Sequence, residues 1–180
     1  MPEHPGFDLK QIEDRSIVRL RVRPSEAGAI GKELQLPLQA LQWQDGERAS
    51  HWLGPDQWLL TSDTKSARDI ISHIESTLSG QLFAATDMSS SNACFALNGP
   101  AARTVLAMGC GIDMHRNEFK TGQCARTNFA SVPLFIVVID DDSFMLYVDR
   151  SYTQYLRDWF ARSGEDPLTR DSKLHQDMVS

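Results

Sequence analysis

Basic residues, cysteines and long apolar runs are all scarce in this chain, and each scarcity closes off a class of function. Lysine and arginine number 18 against 24 aspartates and glutamates, a net charge of −6. Such a balance lacks the broad basic face that a phosphate backbone demands, so nucleic acid is excluded as the main partner. The three cysteines, Cys94, Cys110 and Cys124, are an odd set without Cys-x-x-Cys spacing. They form neither a disulfide framework nor a zinc ribbon, and they read as small buried thiols in a reducing, cytoplasmic setting. No apolar run is long enough to span a bilayer. The longest, residues 132–139, has the length of a strand and contains Pro133. The opening Met1-Pro2-Glu3-His4-Pro5 is polar, which is not the expected character of a signal peptide.

Recognisable reaction centres are equally sparse. Gly99-Pro100 has neither GxGxxG nor Walker spacing, so this chain is not expected to hold a dinucleotide by itself. Ser90 and Ser91 lack the Gly-x-Ser-x-Gly frame of a nucleophile elbow. His4, His51, His73, His115 and His175 are scattered, none at metal-ligand spacing, and all five read as surface or edge histidines. Asp140-Asp141-Asp142 reads as a solvated hairpin turn, since Asp bonds its own backbone there. The expectation is no catalytic, cofactor-binding or metal-binding residue in this chain.

What is present is an ordinary globular balance, 41% hydrophobic and 23% charged, in a chain of 180 residues that can bury one sizeable core. Residues 1–16 read as an extended or loosely helical arm, 17–163 as the folded domain and 164–180 as a polar tail. Residues 17–23 alternate with period two, Val18, Leu20 and Val22 on one face and Arg19, Arg21 and Arg23 on the other. Ser25 is the expected cap of a short helix burying Ala27, Ile30 and Leu34. Two apolar runs meet at Gly54-Pro55-Asp56, which predicts a hairpin of 49–53 and 57–61. Ser62-Asp63-Thr64 should cap the next helix, with Ala67, Ile70, Ile71, Ile74 and Leu78 as its stripe and Gly80 as its stop. Strands are expected at 82–88 and 92–97, parted by Ser89-Ser90-Ser91.

A second round follows. Pro100 opens a helix with Ala102, Val105, Leu106 and Gly109 inward. Residues 112–122 read as irregular. Strands are expected at 123–130, 132–139 and 143–148, then a helix capped by Ser151 and bearing Tyr152, Tyr155, Leu156, Trp159 and Phe160. The fold class is therefore α+β, two tandem βαββαβ ferredoxin-like units, the second with an added strand and without a clear closing one. No sequence identity between the halves accompanies the repeat of elements.

Two surfaces suggest a partner. Arg19, Arg21 and Arg23 make a positive stripe on an acidic protein, suited either to shielding an edge strand or to meeting carboxylates. Tyr152 and Tyr155, if part of their helix face stays open, would mark a subunit interface.

Three segments in order, Leu-Gly-Pro-Asp-Gln-Trp-Leu-Leu at 53–60, Asn98-Gly99-Pro100-Ala101-Ala102 and Val148-Asp149-Arg150-Ser151-Tyr152, resemble the gamma subunit family of heterotetrameric sarcosine oxidase. The resemblance runs over 17–162, most distinctively at 53–60, 98–106, 119–127 and 148–159. It implies an aminomethyltransferase (glycine-cleavage T-protein) folate-binding-domain-like fold. Folate-related relatives carry a Lys-Gly-Cys-Tyr-x-Gly-Gln-Glu motif, which Lys120-Thr121-Gly122-Gln123 echoes, with Cys124 where the closing Glu would stand. The resemblance implies an accessory subunit without an active site of its own. Alpha, beta and delta subunits would be its partners, and FAD, FMN, NAD and tetrahydrofolate would sit in those partners. The complex would oxidise sarcosine to glycine, release hydrogen peroxide and pass a one-carbon unit to tetrahydrofolate. The rival expectations are a free-standing folate-binding or one-carbon-transfer protein, with Arg126 and Arg150 touching the folate tail, or an interaction module of a related amine oxidase complex.

Overall fold

The computed structural model describes residues 6–163. The tail expected at 164–180 lies outside them. The first half contains β2 (Ser16–Val22), α1 (Ala27–Glu33), β3 (Trp43–Gln44), β4 (Ala49–Gly54), β5 (Gln57–Ser62), α2 (Ala67–Thr77) and β6 (Phe83–Asp87). The second contains β7 (Asn92–Asn98), α3 (Ala102–Gly109), β8 (Cys124–Phe129), β9 (Val132–Asp140), β10 (Ser143–Asp149) and α4 (Thr153–Ser163). A strand ahead of both, β1 (Asp8–Ile12), belongs in space to the second half.

Two antiparallel five-stranded sheets result, ordered β3-β4-β5-β2-β6 and β8-β9-β10-β7-β1. The two orders are the same plan. In each, an added strand flanks a hairpin, the half's first strand pairs with the second strand of that hairpin, and a closing strand completes the far edge. The first half closes with its own β6. The second closes with β1, drawn from the stretch expected to be an arm and paired with β7 from Asp8↔Asn98 to Ile12↔Cys94. The missing closing strand of the repeat is thus at the N-terminus. Gly99 admits this docking: a Cβ there would stand 2.6 Å from the Gly6 carbonyl oxygen, and φ is +120°. Arg157 of α4 donates to Gln11 and lies over the Phe95 ring, fastening β1 from above.

Helices cover the outer face of each sheet. Val18, Leu20, Val22 and Leu60 pack against Ile30, Leu34, Ile70 and Ile74 of α1 and α2. Phe95, Phe144 and Leu146 pack against Val105, Leu106, Leu156 and Phe160 of α3 and α4. The inner faces meet through Ile17, Leu59, Cys94, Cys124, Phe135, Val137 and Tyr147. Segment 41–43 links the edges of the sheets: Cys124 N–H donates to the Leu41 carbonyl at 2.6 Å and Trp43 N–H to the Gly122 carbonyl at 3.2 Å.

The hydrophobic stripes fall where their spacing places them, while the helix caps do not. Glu26, not Ser25, precedes α1, without a side-chain hydrogen bond. Ser66 and Asp69 form a capping box on α2, leaving Ser62 to accept from Thr64 N–H and Lys65 N–H. Asp149, not Ser151, caps the last helical segment by accepting from Ser151 N–H, and a 3₁₀ turn at Arg150–Tyr152 leads into α4. At α2 and at the last helical segment several Ser, Thr and Asp residues stand near the start, and loop geometry selects among them. β2 is also internal, between β5 and β6, so Arg19, Arg21 and Arg23 shield no edge.

Candidate functional site

The space between the two sheets holds the polar groups that matter. Arg15, just before β2, reaches inward with a forked pair to Asp63, Nε to Oδ1 at 2.6 Å and Nη2 to Oδ2 at 2.5 Å. Its remaining Nη1 donates to the Tyr147 hydroxyl at 3.0 Å. The guanidinium holds the Asp63 carboxyl below the usual carboxylate range. Burial pushes the Tyr147 phenol up.

His51 is the largest departure from the expected surface histidine. It is 2% exposed on β4, its Nε2 3.1 Å from Thr61 Oγ1 and its ring stacked on Trp43 at 5.7 Å. Burial first, and the Arg15 charge second, push it down to about 3, so it stays neutral at physiological pH. Its position sits on the inward side of a strand whose partner sheet the sequence does not reveal.

The thiols are buried or half-buried and free. Burial raises Cys94 to about 11 and both Cys110 and Cys124 to about 12. Protonated thiols are poor nucleophiles. The inner groups therefore face one another: acid to guanidinium, histidine to hydroxyl, thiols desolvated.

Beside this seam the sheets part into a cleft of about 780 Å³. Leu59 and Phe135 form part of its floor, with Arg19 from the first sheet and Arg126 from the second on its walls and Tyr152 at its edge. Arg19 pairs across to Leu59, and Arg126 to Phe135, so both arginines lie on the inner faces. Among the described residues neither side chain has a hydrogen bond or ion pair.

The cleft brings together Arg19 and Tyr152 from the expected interface set. Arg21 is elsewhere, 3.5 Å from Asp56, and Arg23 is exposed beyond the end of β2. Tyr155 is half-buried against the aromatic core of the second half. Of the two arginines proposed for a folate tail, Arg126 lines the cleft. Arg150 does not: it donates to the carbonyls of Ser89, Ser90 and Asn92, a structural clasp on the 89–92 turn. Lys120-Thr121-Gly122-Gln123 is a turn leading into β8, with Lys120 N–H donating to Gln123 Oε1 at 2.7 Å.

Folate, which the fold suggests, fits this chain poorly. The cleft offers guanidinium groups for a glutamate tail. Its carboxylate, Asp149, accepts from Ser151 N–H at 2.9 Å and Ser151 Oγ at 2.6 Å and is used as a cap, leaving the pterin without a dedicated acceptor.

Among the described residues no helix is long and apolar enough to cross a membrane. The fold resembles that of aminomethyltransferase T. The glycine cleavage system aminomethyltransferase T of Bartonella henselae superposes with a TM-score of 0.66 at 16% identity, over 86% of this chain and 45% of that one. A chain of the heterotetrameric sarcosine oxidase from Corynebacterium sp. U-96, solved with pyrrole 2-carboxylate, superposes with a TM-score of 0.80 at 23% identity, over 91% and 86%. Sarcosine oxidase subunit gamma of Corynebacterium sp. strain U-96 is 28% identical over 157 residues, 84% of this chain and 76% of that protein. Its Arthrobacter counterpart is 25% identical over the same shares. The family model of the sarcosine oxidase gamma subunit matches residues 22–165. The chain belongs to the sarcosine oxidase gamma subunit family.

Proposed function

We propose that this chain is the accessory, non-catalytic gamma subunit of a cytoplasmic heterotetrameric sarcosine oxidase. In that role it adds interface to a flavoenzyme complex that demethylates sarcosine to glycine, releases hydrogen peroxide and delivers a one-carbon unit to tetrahydrofolate. Alpha, beta and delta subunits are its partners and carry FAD, FMN, NAD and the folate site. The observation that carries the reading is the family match across residues 22–165, nearly the whole described fold. The seam supports it, because its ionisable groups are engaged with one another or held neutral. Arg19, Arg21 and Arg23, with Tyr152 and Tyr155, are the proposed assembly surface.

Affinity purification of the full chain from its native host tests the assignment. The expected product is a yellow complex with two larger flavin-bearing chains and one small chain. A colourless lone chain would overturn it. Calorimetry of the isolated chain with tetrahydrofolate is expected to give no saturable heat. Saturable heat would move the assignment to a free-standing folate-binding protein.

A further inference from the structure

The outer edge of β8 is used at both ends, by the bridges Gln42↔Gln123 and Cys110↔Phe129, and is open between them. Cys124 N–H faces outward and is taken by the Leu41 carbonyl, within the segment that links the sheets. Backbone groups on a strand alternate in direction with period two, so the N–H and C=O of Arg126 and Asn128 face outward as well. Pro133, opposite Asn128, has no N–H to offer, in keeping with that phase. The Asn128 carbonyl accepts from Thr127 Oγ1 at 3.3 Å, and just beyond it Cys110 bridges to Phe129. Among the described residues that leaves the Arg126 N–H and C=O and the Asn128 N–H as the open groups, and both residues are exposed. An open strand edge beside a groove is a template for an added strand.

Among the described residues, the groove beside it carries two unpaired cations, while its one carboxylate, Asp149, is engaged as a cap on Ser151. Arg126 and Arg19 face the cleft from opposite sheets without a counter-ion, on a protein whose net charge is −6. Two like charges facing one groove attract an anion between them, and a carboxylate matches the guanidinium fork. Leu59 and Phe135 beneath them offer apolar contact.

We propose that the free edge of β8 and the adjoining cleft seat an extended, carboxylate-bearing segment of a partner subunit. Its backbone pairs with the Arg126 N–H and C=O and the Asn128 N–H, its carboxylate meets Arg126 and Arg19, and an apolar side chain rests on Leu59 and Phe135. This deepens the gamma-subunit reading and rests on it. The backbone pairing favours a polypeptide over a small acid, which has no strand to add. Segment 41–43 already uses the same mode one turn of the ladder away.

The test compares the full chain alone and assembled with its co-expressed partner subunits. Hydrogen exchange at the amides of Arg126 and Asn128 is expected to slow at least about tenfold on assembly. Arg126→Glu and Arg19→Glu are each expected to weaken assembly by about tenfold or more, with unchanged thermal midpoints. Arg126→Lys should retain most of the affinity. Wild-type affinity in both Glu variants, with unslowed exchange, overturns the docking site and leaves the gamma-subunit reading intact. If the wild-type chain assembles with no subunit, both fall. Protection already present in the free chain also overturns the partner segment. If it grows with concentration, the occupant is a second copy. If it vanishes on removal of 164–180, the occupant is the chain's own tail.

Discussion

The two halves of the molecule share one strand order and differ in almost everything that fills it. The helical side of the first sheet is aliphatic, with Val18, Leu20, Ile30, Leu60, Ile70 and Ile74 around a single buried aromatic, Trp58. The helical side of the second is aromatic, with Phe7, Phe95, Phe119, Phe129, Phe144 and Phe160 in one cluster. One half closes its sheet with the strand that follows its second helix, the other with a strand from the start of the chain. The plan therefore rests on where apolar residues fall, and the choice among apolar residues is local.

The sharpest way to break the comparison is to open the aromatic half. Phe129 is fully buried, stacked on Phe160 at 5.2 Å and edge-on to Trp159 at 4.4 Å. Gly109 lies against it so closely that a Cβ would stand 2.6 Å from the ring. Phe129→Ala leaves a ring-sized void that rigid neighbours cannot fill, and the expected loss is about 3–5 kcal/mol. Ile74→Ala in the aliphatic half should cost about 2–4 kcal/mol, because flexible aliphatic neighbours close part of the gap. Urea titrations followed by far-ultraviolet circular dichroism measure both. Equal losses would remove the distinction between the halves.

The borrowed closing strand gives the next test. Leu9 is buried in the aromatic core, although the polar residues around it make residues 1–16 read as an arm. Leu9→Ala is expected to cost about 2–3 kcal/mol, the loss for a buried leucine at a sheet edge that can partly relax. A loss below about 0.5 kcal/mol, the scale of an ordinary surface change, would mean that β1 adds little to the second sheet.

What the sequence discloses follows the same division. Stripes and alternations locate the other long elements: Val18, Leu20 and Val22 face the helices as period two requires, and Ile70, Ile74 and Leu78 are buried at helical spacing. Those signals are local. β1 is short, and its membership depends on a partner, β7, more than eighty residues away. His51 reads as a surface residue because burial on the inner face comes from the other sheet. The cleft pairs Arg19 with Arg126 through a layer contact to which no periodicity in either strand refers. Ser66 and Asp69 are the exception, a Ser-x-x-Asp capping signal present in the sequence beside the competing Ser62-Asp63-Thr64.

The seam joining the halves carries the pH dependence. His51 of the first half lies against Phe135 and Tyr147 of the second, neutral, with its folded pKa pushed down to about 3. An unfolded histidine titrates near ~6.5. The depressed value means that its contribution is complete above that pH. It is lost as pH falls through the interval down to about 3, because the unfolded chain binds the proton first. The expected slope from this group approaches ~1.4 kcal/mol per pH unit. His51→Gln should flatten the fall in stability between roughly pH 6 and 4, the middle of that window. An unchanged profile would show that the ring is not held neutral at the seam.

The smallest expected effect belongs to Arg15 and Asp63. Arg15 touches both halves, since it pairs with Asp63 after β5 and donates to Tyr147 on β10. The Asp63 side chain is 56% exposed, so solvent screens the pair and its value is discounted to about 1 kcal/mol despite the forked geometry. The hydrogen bond from Arg15 lowers the Asp63 pKa. An unfolded aspartate titrates near ~4, so the contribution is present above that pH and is lost as pH falls through the lower folded value. Asp63→Asn should therefore lower stability by about 1 kcal/mol near neutrality and converge on the wild type in strong acid, below both values. Coincident profiles for Asp63→Asn and the wild type at every pH would mean that Arg15 is held by Tyr147 alone and that the seam is fastened from the aromatic half.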